Sequence, residues 1–267
     1  MAQSTLKLGM PTLIEAPSLR VCAQLCKELG LDFIEINMNM PQYQPQTIDP
    51  AALCAVARRY GVGYTMHIDE NLNACDFNKD VAQAYTRSVL QTILLARTAG
   101  IPTLNMHLSR GVHFTLPDRK VYLFDAYREI YMDGIRRFRD ACTEAIGGDD
   151  VRICLENYNG YLGFQREAID LLLQSPAFGL TLDVGHNHVQ RRQDEAFILE
   201  RGERLCHMHL HDAMGQRDHL SLGEGEMDIP AQLALAKAHG CSVVVEVKTI
   251  ASLRDSIAWL RAREKLL

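Results

Sequence analysis

Acidic and histidine side chains that can bind a metal ion stand at the ends of short apolar runs in this sequence. Glu156, Asp183 and Glu246 each close such a run, and another run carries His209. Carboxylates and an imidazole together suit a divalent ion such as Mn, Mg, Co or Zn. These four residues are our candidate ligands for one divalent metal ion. The alternative is a buried ion-pair network, but Lys248 is the one basic residue at these run ends.

Spacing alone does not select the histidine ligand of the run at 205–210. His207 and His211 share the parity of His209, so all three side chains point to the same face of a strand. Glu35 also lies at the end of an apolar run, and its role stays open at this point.

Four further histidines are candidates for contact with a substrate. His67 and His107 close two earlier runs, and they are either ligands or a neutral, hydrogen-bonded pair. His186 and His219 follow later runs, where they either bind the substrate or a second metal or simply belong to loops. We predict that all four line the substrate site.

An alternation of short apolar runs with longer helical patterns must position these residues. Such alternation predicts βα units and a parallel sheet, and eight units close a TIM barrel, whose active site lies at the carboxyl ends of the strands. We therefore predict an α/β fold with one eightfold barrel domain over residues 1–267. The predicted strands are 6–10, 33–37, 63–67, 103–107, 151–155, 179–182, 205–210 and 243–247, with helices between them at about 18–29, 50–60, 78–99, 124–146, 165–174, 193–201 and from 228.

The glycine-rich segment from Gly223 to Glu226 is a weak match to a phosphate-binding loop, because no Lys-Ser or Lys-Thr pair follows it. We interpret it as a turn that leads to the helix opened by Asp228 and Pro230.

The bulk composition is that of an ordinary globular enzyme. The 267 residues are near the ~250 typical of one TIM barrel. The net charge of −5 and the lack of long basic runs argue against nucleic-acid binding. No apolar run is long enough for a membrane span, and no signal-like segment opens the chain. Eight scattered cysteines without a Cys-x-x-Cys pair indicate reduced thiols, so we expect a cytoplasmic protein.

Several motifs together resemble the xylose isomerase-like TIM-barrel superfamily, which groups sugar isomerases, ketose 3-epimerases, inosose dehydratase and isomerase, and endonuclease IV. The resemblance covers nearly the whole chain. The matching stretches are Leu155-Glu156-Asn157, Leu182-Asp183-Val-Gly-His186, His207-Met-His209-Leu-His-Asp212, the segment from Asp218 to Asp228, and Val245-Glu246.

The resemblance implies that Glu156, Asp183, His209 and Glu246 bind the metal, and it selects His209 among the histidines of its run. It also implies that Glu156 and Glu246 act as acid and base. His219 falls at a substrate-contacting position where the epimerases usually have Arg. The pocket is therefore expected to differ from theirs.

The resulting hypothesis is a metal-dependent isomerase or epimerase of a small sugar or polyol, working through an enediolate. The alternatives are a dehydratase of an inosose-type substrate, a non-catalytic binding protein, and a zinc endonuclease IV-like phosphodiesterase. The histidines match the three-zinc site of endonuclease IV, but Arg217 replaces an aspartate of that family's motif. We expect a small-molecule substrate and no nucleic-acid or membrane partner, and a homo-oligomer is compatible with the sequence.

Overall fold

Eight parallel strands close into a barrel in the computed structural model, which describes residues 6–263. Each strand pairs with the next along the chain, and the last pairs with the first. The predicted TIM barrel is thereby confirmed. The strands are β1 (Lys7–Pro11), β2 (Phe33–Asn37), β3 (Gly63–His67), β4 (Thr103–His107), β5 (Arg152–Glu156), β6 (Phe178–Asp183), β7 (Leu205–Leu210) and β8 (Ser242–Val245).

Helices connect the strands and cover the outside of the barrel. Their ends carry the expected caps: Ser18 and Asp49 accept backbone N–H groups at two N-termini, and Gly61 and Gly100 adopt left-handed conformations at two C-termini. The helices are α1 (Leu19–Glu28), α2 (Pro50–Tyr60), α3 (Lys79–Ala99), α4 (Leu123–Ala126), α5 (Arg128–Ile146), α6 (Gly163–Leu172), α7 (Val184–Val189), α8 (Glu195–Leu199), α9 (Ile229–His239) and α10 (Ile250–Arg261).

Two predicted helices differ from the structure. The helix predicted at 124–146 is interrupted at Tyr127, whose φ of −115° and ψ of 47° separate α4 from α5. The helix predicted at 193–201 forms only as α8, and the short α7 was not predicted. Arg191 and Arg192 take left-handed conformations between α7 and α8, and their N–H groups bond back to α7. This tight turn immediately precedes the predicted start of the helix, and the helical conformation begins only at Glu195.

Two short hairpins were also not predicted. One pairs His113–Thr115 with Lys120–Tyr122 after β4, and the other pairs Asp212–Met214 with Arg217–Leu220 after β7. Strands of three or four residues are too short to show a periodic pattern of apolar residues. The second hairpin turns at Gly215, whose φ is 59°.

The strands separate a helix-facing core from a polar barrel interior. In β2, Ile34 and Ile36 belong to the apolar core, whereas Glu35 between them contacts His207 and His209 on the other side of the barrel. The alternation of side chains along each strand therefore delivers polar groups to the interior. No helix within residues 6–263 has both the length and the apolar character to cross a membrane.

Residues 1–5 and 264–267 lie outside the described residues. The predicted single domain extends over both ends. The expectation of a cytoplasmic protein rests partly on the N-terminal segment. Residues 1–5 of that segment are outside the described residues.

The loop after β7 is built around the buried carboxylate of Asp212. This carboxylate accepts the backbone N–H groups of Ala213, Gly223, Gly225 and Met227 at 2.9–3.2 Å. A Cβ at Gly225 would lie 2.2 Å from an Asp212 oxygen, so glycine is required there. Because these N–H groups already have an acceptor, the structure supports the turn and not the phosphate loop.

We expect Asp212→Ala to lower the free energy of unfolding by about 3 kcal/mol, because it leaves several N–H groups without an acceptor. Urea denaturation measures this change. The control Asp255→Ala, at an exposed position of α10, should change the free energy of unfolding by no more than about 0.5 kcal/mol. A loss below about 1 kcal/mol in Asp212→Ala would show that other contacts hold this loop.

Candidate metal centre

The four predicted metal ligands meet at the carboxyl end of the barrel. Glu156 and Asp183 end β5 and β6, His209 lies near the end of β7, and Glu246 follows β8. One ligand atom from each lies within 4.8 Å of the others. Nδ1 of His209 is 2.9 Å from Glu246 Oε2, 3.5 Å from Glu156 Oε1 and 3.7 Å from Asp183 Oδ2.

The three carboxyl groups of this cluster are held in the ionised form. Burial raises the pKa of Glu156, but nearby imidazoles, that of His209 foremost, outweigh it and hold the pKa well below its usual range. Burial acts in the same direction on Asp183, and His211 leads the imidazoles that lower its pKa. Glu246 follows the same pattern, with His209 overcoming burial to lower the pKa. The carboxylates are therefore anionic near neutral pH.

Several buried polar atoms at this cluster have no aligned hydrogen-bond partner among the described residues. They include Nδ1 of His209, Nδ1 of His186 and Oε2 of Glu246. Buried polar atoms in proteins are normally paired, and unpaired ones call for an explanation such as an ion. Three carboxylates and one imidazole also form a donor set that Mn, Mg, Co and Zn accept. The residues present thus fit the predicted divalent ion.

Glu35 holds the His209 ring from the side away from the carboxylates. Its Oε1 is 2.8 Å from Nε2 of His209, and its Oε2 is 3.0 Å from Nε2 of His207 and accepts the Thr65 hydroxyl at 3.1 Å. Burial raises the pKa of Glu35, but His209 and His207 together outweigh burial, so the pKa lies well below its usual value. A carboxylate on Nε2 leaves Nδ1 as the nitrogen that faces the other ligands.

Asp183 is fixed by Asn157 and His211. The Asn157 side chain accepts the backbone N–H of Asp183 at 2.9 Å and donates to its carbonyl at 3.0 Å. Nε2 of His211 lies 3.1 Å from Asp183 Oδ1, and Nδ1 of His211 accepts the backbone N–H of His219 at 2.8 Å. In this geometry His207 contacts Glu35 and His211 contacts Asp183, whereas His209 alone of the three lies near all three carboxylates of the cluster.

His67 and His107 approach the other oxygen of Glu156. Their Nε2 atoms lie 3.2 Å and 3.3 Å from Glu156 Oε2. Burial lowers the pKa of His67, but Glu156 outweighs it and raises the pKa to about 9. The Tyr158 ring stacks on His107 with the centroids 4.2 Å apart. His67, His107 and Glu156 thus form a second group of adjacent ligand atoms.

His186 lies at the edge of the first cluster. Its Nδ1 is 3.3 Å from Asp183 Oδ2 and 3.6 Å from Glu156 Oε1. Its Nε2 is 3.8 Å from the carboxylate of Asp218, whereas Arg217 is exposed. Arg217, which replaces an aspartate of the endonuclease IV motif, therefore points to solvent, and the next residue, Asp218, faces the site.

His219 closes one side of the site in a left-handed backbone conformation, with φ of 52°. Its Nδ1 is 3.1 Å from the carbonyl of Glu246, and its ring stacks on His211 with centroids 4.0 Å apart. Burial, followed by the charge of His211, lowers the pKa of His219 to about 4. His219 is therefore a neutral imidazole beside the cluster.

A cavity of about 390 Å³ opens above the cluster. All four predicted substrate-binding histidines line it, together with the predicted metal ligands Glu156 and Glu246. Sequence reasoning did not assign Tyr158 or Asp218 to this cavity, although both are close in the chain to predicted residues. The lining residues are His67, Glu70, His107, Glu156, Tyr158, Asn159, His186, Val189, Gln190, Asp218, His219, Glu246 and Lys248.

Comparisons with known proteins give one family and many similar structures. Residues 23–263 match the family model described as "Xylose isomerase-like TIM barrel". A D-tagatose 3-epimerase-like protein is 23% identical, with a TM-score of 0.78 over 98% of both chains. The 3-keto-D-glucoside 4-epimerase of E. coli is 18% identical, with a TM-score of 0.75 over 97% of this chain and 100% of that one.

An IolI protein with a bound zinc atom is 16% identical, with a TM-score of 0.73 over 98% of this chain and 99% of that one. At these identities the structural likeness shows a shared fold. No curated protein matches the sequence significantly.

We expect Glu35→Ala to weaken divalent-metal binding by about 10–100-fold, because His209 loses the carboxylate that lies 2.8 Å from its Nε2. Titration of the metal-free protein with Mn²⁺ or Zn²⁺ against a chromogenic chelator measures the affinity. Glu35→Gln should lose less affinity, since its amide oxygen can take the place of the carboxylate oxygen beside Nε2. The control Glu144→Ala, exposed on α5, should bind as the wild type does. Wild-type affinity in a folded Glu35→Ala protein would exclude this role for Glu35.

Proposed function

Since the chain belongs to the xylose isomerase-like TIM-barrel family, we propose that it is a divalent-metal-dependent isomerase or epimerase of a small sugar or polyol. The observation that carries the proposal is the placement of Glu156 and Glu246. Both carboxylates approach Nδ1 of His209, at 3.5 Å and 2.9 Å, and both line the same cavity. Two carboxylates at one small cavity are suited to remove and return a proton.

Glu156, Asp183, His209 and Glu246 would hold the ion. When bound there, a divalent ion supplies Lewis-acid polarisation of a substrate carbonyl, which makes the adjacent C–H group more acidic. The protein residues fix the ligand atoms in place before substrate arrives, since Glu35 holds His209 and Asn157 holds Asp183.

Glu156 and Glu246 differ in ways that suit an acid and base pair. Glu156 is buried, and its Oε2 accepts a hydrogen bond from Asn105 and faces His67 and His107. Glu246 is partly exposed in the cavity, and Lys248 donates to its Oε1 at 2.9 Å. In the proposed reaction one glutamate takes the proton next to the carbonyl, and an enediolate results. The other glutamate first takes up a proton from water and then gives it to the enediolate, from the opposite face in an epimerase.

The polar cavity wall supports a polyhydroxylated substrate. His67, His107, His186 and His219 present ring nitrogens at or near the cavity, where they can hydrogen-bond hydroxyl groups. A volume of about 390 Å³ lies at the lower end of the ~300–1,000 Å³ usual for small-molecule sites. The similar structures include a D-tagatose 3-epimerase-like protein and a 3-keto-D-glucoside 4-epimerase, which supports the same substrate class.

Incubation with a panel of ketoses and inososes in D₂O tests this proposal. We expect the metal-loaded protein to form an isomer of one substrate and to place deuterium on the carbon next to the carbonyl. Glu246→Gln should lower the rate by about 10²–10⁴-fold. Glu144→Gln, the same chemical change at an exposed position of α5, should leave the rate unchanged.

The products also distinguish the lyase alternative. A product that has lost water would identify a dehydratase that uses the same carboxylates. Normal turnover by Glu246→Gln that retains its metal would contradict the acid–base scheme.

A zinc phosphodiesterase acting on abasic DNA is the second candidate, and the group formed by His67, His107 and Glu156 favours it by offering a second metal position. Asp218 near His186 also supplies a carboxylate beside Arg217. The net charge of −5 opposes binding to a polyanion.

We expect the zinc-loaded protein to leave an oligonucleotide with one abasic site intact. The control is the same protein from which a chelator has removed the zinc. Zinc-dependent cleavage at the abasic site would favour the nuclease over the sugar enzyme.

A further inference from the structure

Two cysteine thiols meet closer to the amino-terminal ends of the strands than the candidate metal centre does. Sγ of Cys154 in β5 lies 3.0 Å from Sγ of Cys206 in β7, although β6 runs between these strands. The two residues are 52 positions apart in the sequence. The contact therefore depends on the packing of three successive strands and not on a local motif.

A bulge and a glycine create this contact. The register between β6 and β7 shifts so that Leu180 pairs with Leu205 and Thr181 with His207, which leaves Cys206 as the extra residue. Such bulges redirect a side chain. Gly179 in β6 provides the space, because a Cβ there would lie 2.9 Å from the Cys206 sulfur.

Cys206 is the accessible member of the pair. It is partly exposed and lines a cavity of about 630 Å³, which is formed largely by the first residues of several strands. Cys154 is buried beside it. A small oxidant can therefore reach Cys206 first, with Cys154 already in position as the second thiol.

The surroundings favour a thiolate at Cys206. The hydrogen bond from the Cys154 thiol lowers the pKa of Cys206 to about 6, and Arg152 adds to this effect against burial. Burial raises the pKa of the Cys26 and Cys75 thiols to about 12. The thiolate is the reactive form of cysteine, so these residues should differ sharply in reactivity.

We propose that Cys154 and Cys206 are a redox-sensitive dithiol that hydrogen peroxide converts to a disulfide and that added thiols restore. The Cys206 thiolate attacks one peroxide oxygen, the O–O bond breaks, and Cys206 sulfenic acid and hydroxide form. The Cys154 sulfur then attacks the sulfenic sulfur, and the S–S bond forms as hydroxide leaves. The two thiol protons and the two hydroxides give two waters, and the two electrons lost by the sulfurs reduce the peroxide.

The movement needed is small. A disulfide requires a sulfur–sulfur distance of about 2.05 Å, so the two atoms must approach by about 1 Å.

Peptide mapping of the reduced full-length protein after brief peroxide treatment tests the proposal, and it needs neither a substrate nor a metal. We expect a Cys154–Cys206 linked peptide that dithiothreitol removes, while Cys26 and Cys142 remain fully alkylatable. Before oxidation, iodoacetamide should modify Cys206 at least about tenfold faster than Cys26. In Cys154→Ser, Cys206 should instead be trapped as a sulfenic acid by dimedone.

The control Cys241→Ser removes a nearby thiol whose hydrogen bond goes to the Leu205 carbonyl, and it should leave the cross-link intact. Absence of the Cys154–Cys206 link in the wild-type protein would overturn the proposal, as would a link between Cys206 and Cys241. Because the mapping is done on the wild-type chain, a variant that fails to fold does not affect this outcome.

Discussion

Three carboxylates converge on one imidazole nitrogen in a buried part of the barrel mouth, and this concentration of negative charge constrains the rest of the site. Buried anions are costly unless they are paired or bind a cation. A proton on His209 can offset one of these charges, whereas a divalent ion offsets two and also satisfies the unpaired atoms of His209 and Glu246. A metal ion is thus the simplest partner for this arrangement.

The surrounding structure serves to keep these ligands in place. Glu35 fixes the His209 ring from across the barrel, and Asn157 and His211 fix Asp183. The Asp212 carboxylate accepts backbone N–H groups of the following loop, close to the segment that carries His219. The strands thereby supply the ligands and the loops close the cavity above them, as expected where catalytic groups come from strand ends.

Much of this arrangement could be predicted from the sequence, because strand periodicity and strand-end polar residues are local features. The strands at 33–37, 63–67, 103–107 and 205–210 have the predicted bounds. The partnership of Glu35 with His207 could not be predicted, since 172 positions separate the two residues and only barrel closure joins them. The contact of Cys154 with Cys206 could not be predicted either, because it depends on a shift of register between β6 and β7 that the sequence pattern does not show. The metal and catalytic roles of the strand-end residues remain predictions.

Metal content per chain, measured by elemental analysis of protein purified without chelator, tests the central claim most directly. The account predicts about one Mn, Co, Mg or Zn ion per chain, lost in His209→Ala and retained in His113→Ala, which alters an exposed hairpin residue. About three zinc ions per chain would contradict the sugar-enzyme proposal in favour of the nuclease. No bound metal after reconstitution would contradict the metal centre itself and leave the carboxylate cluster without its proposed partner.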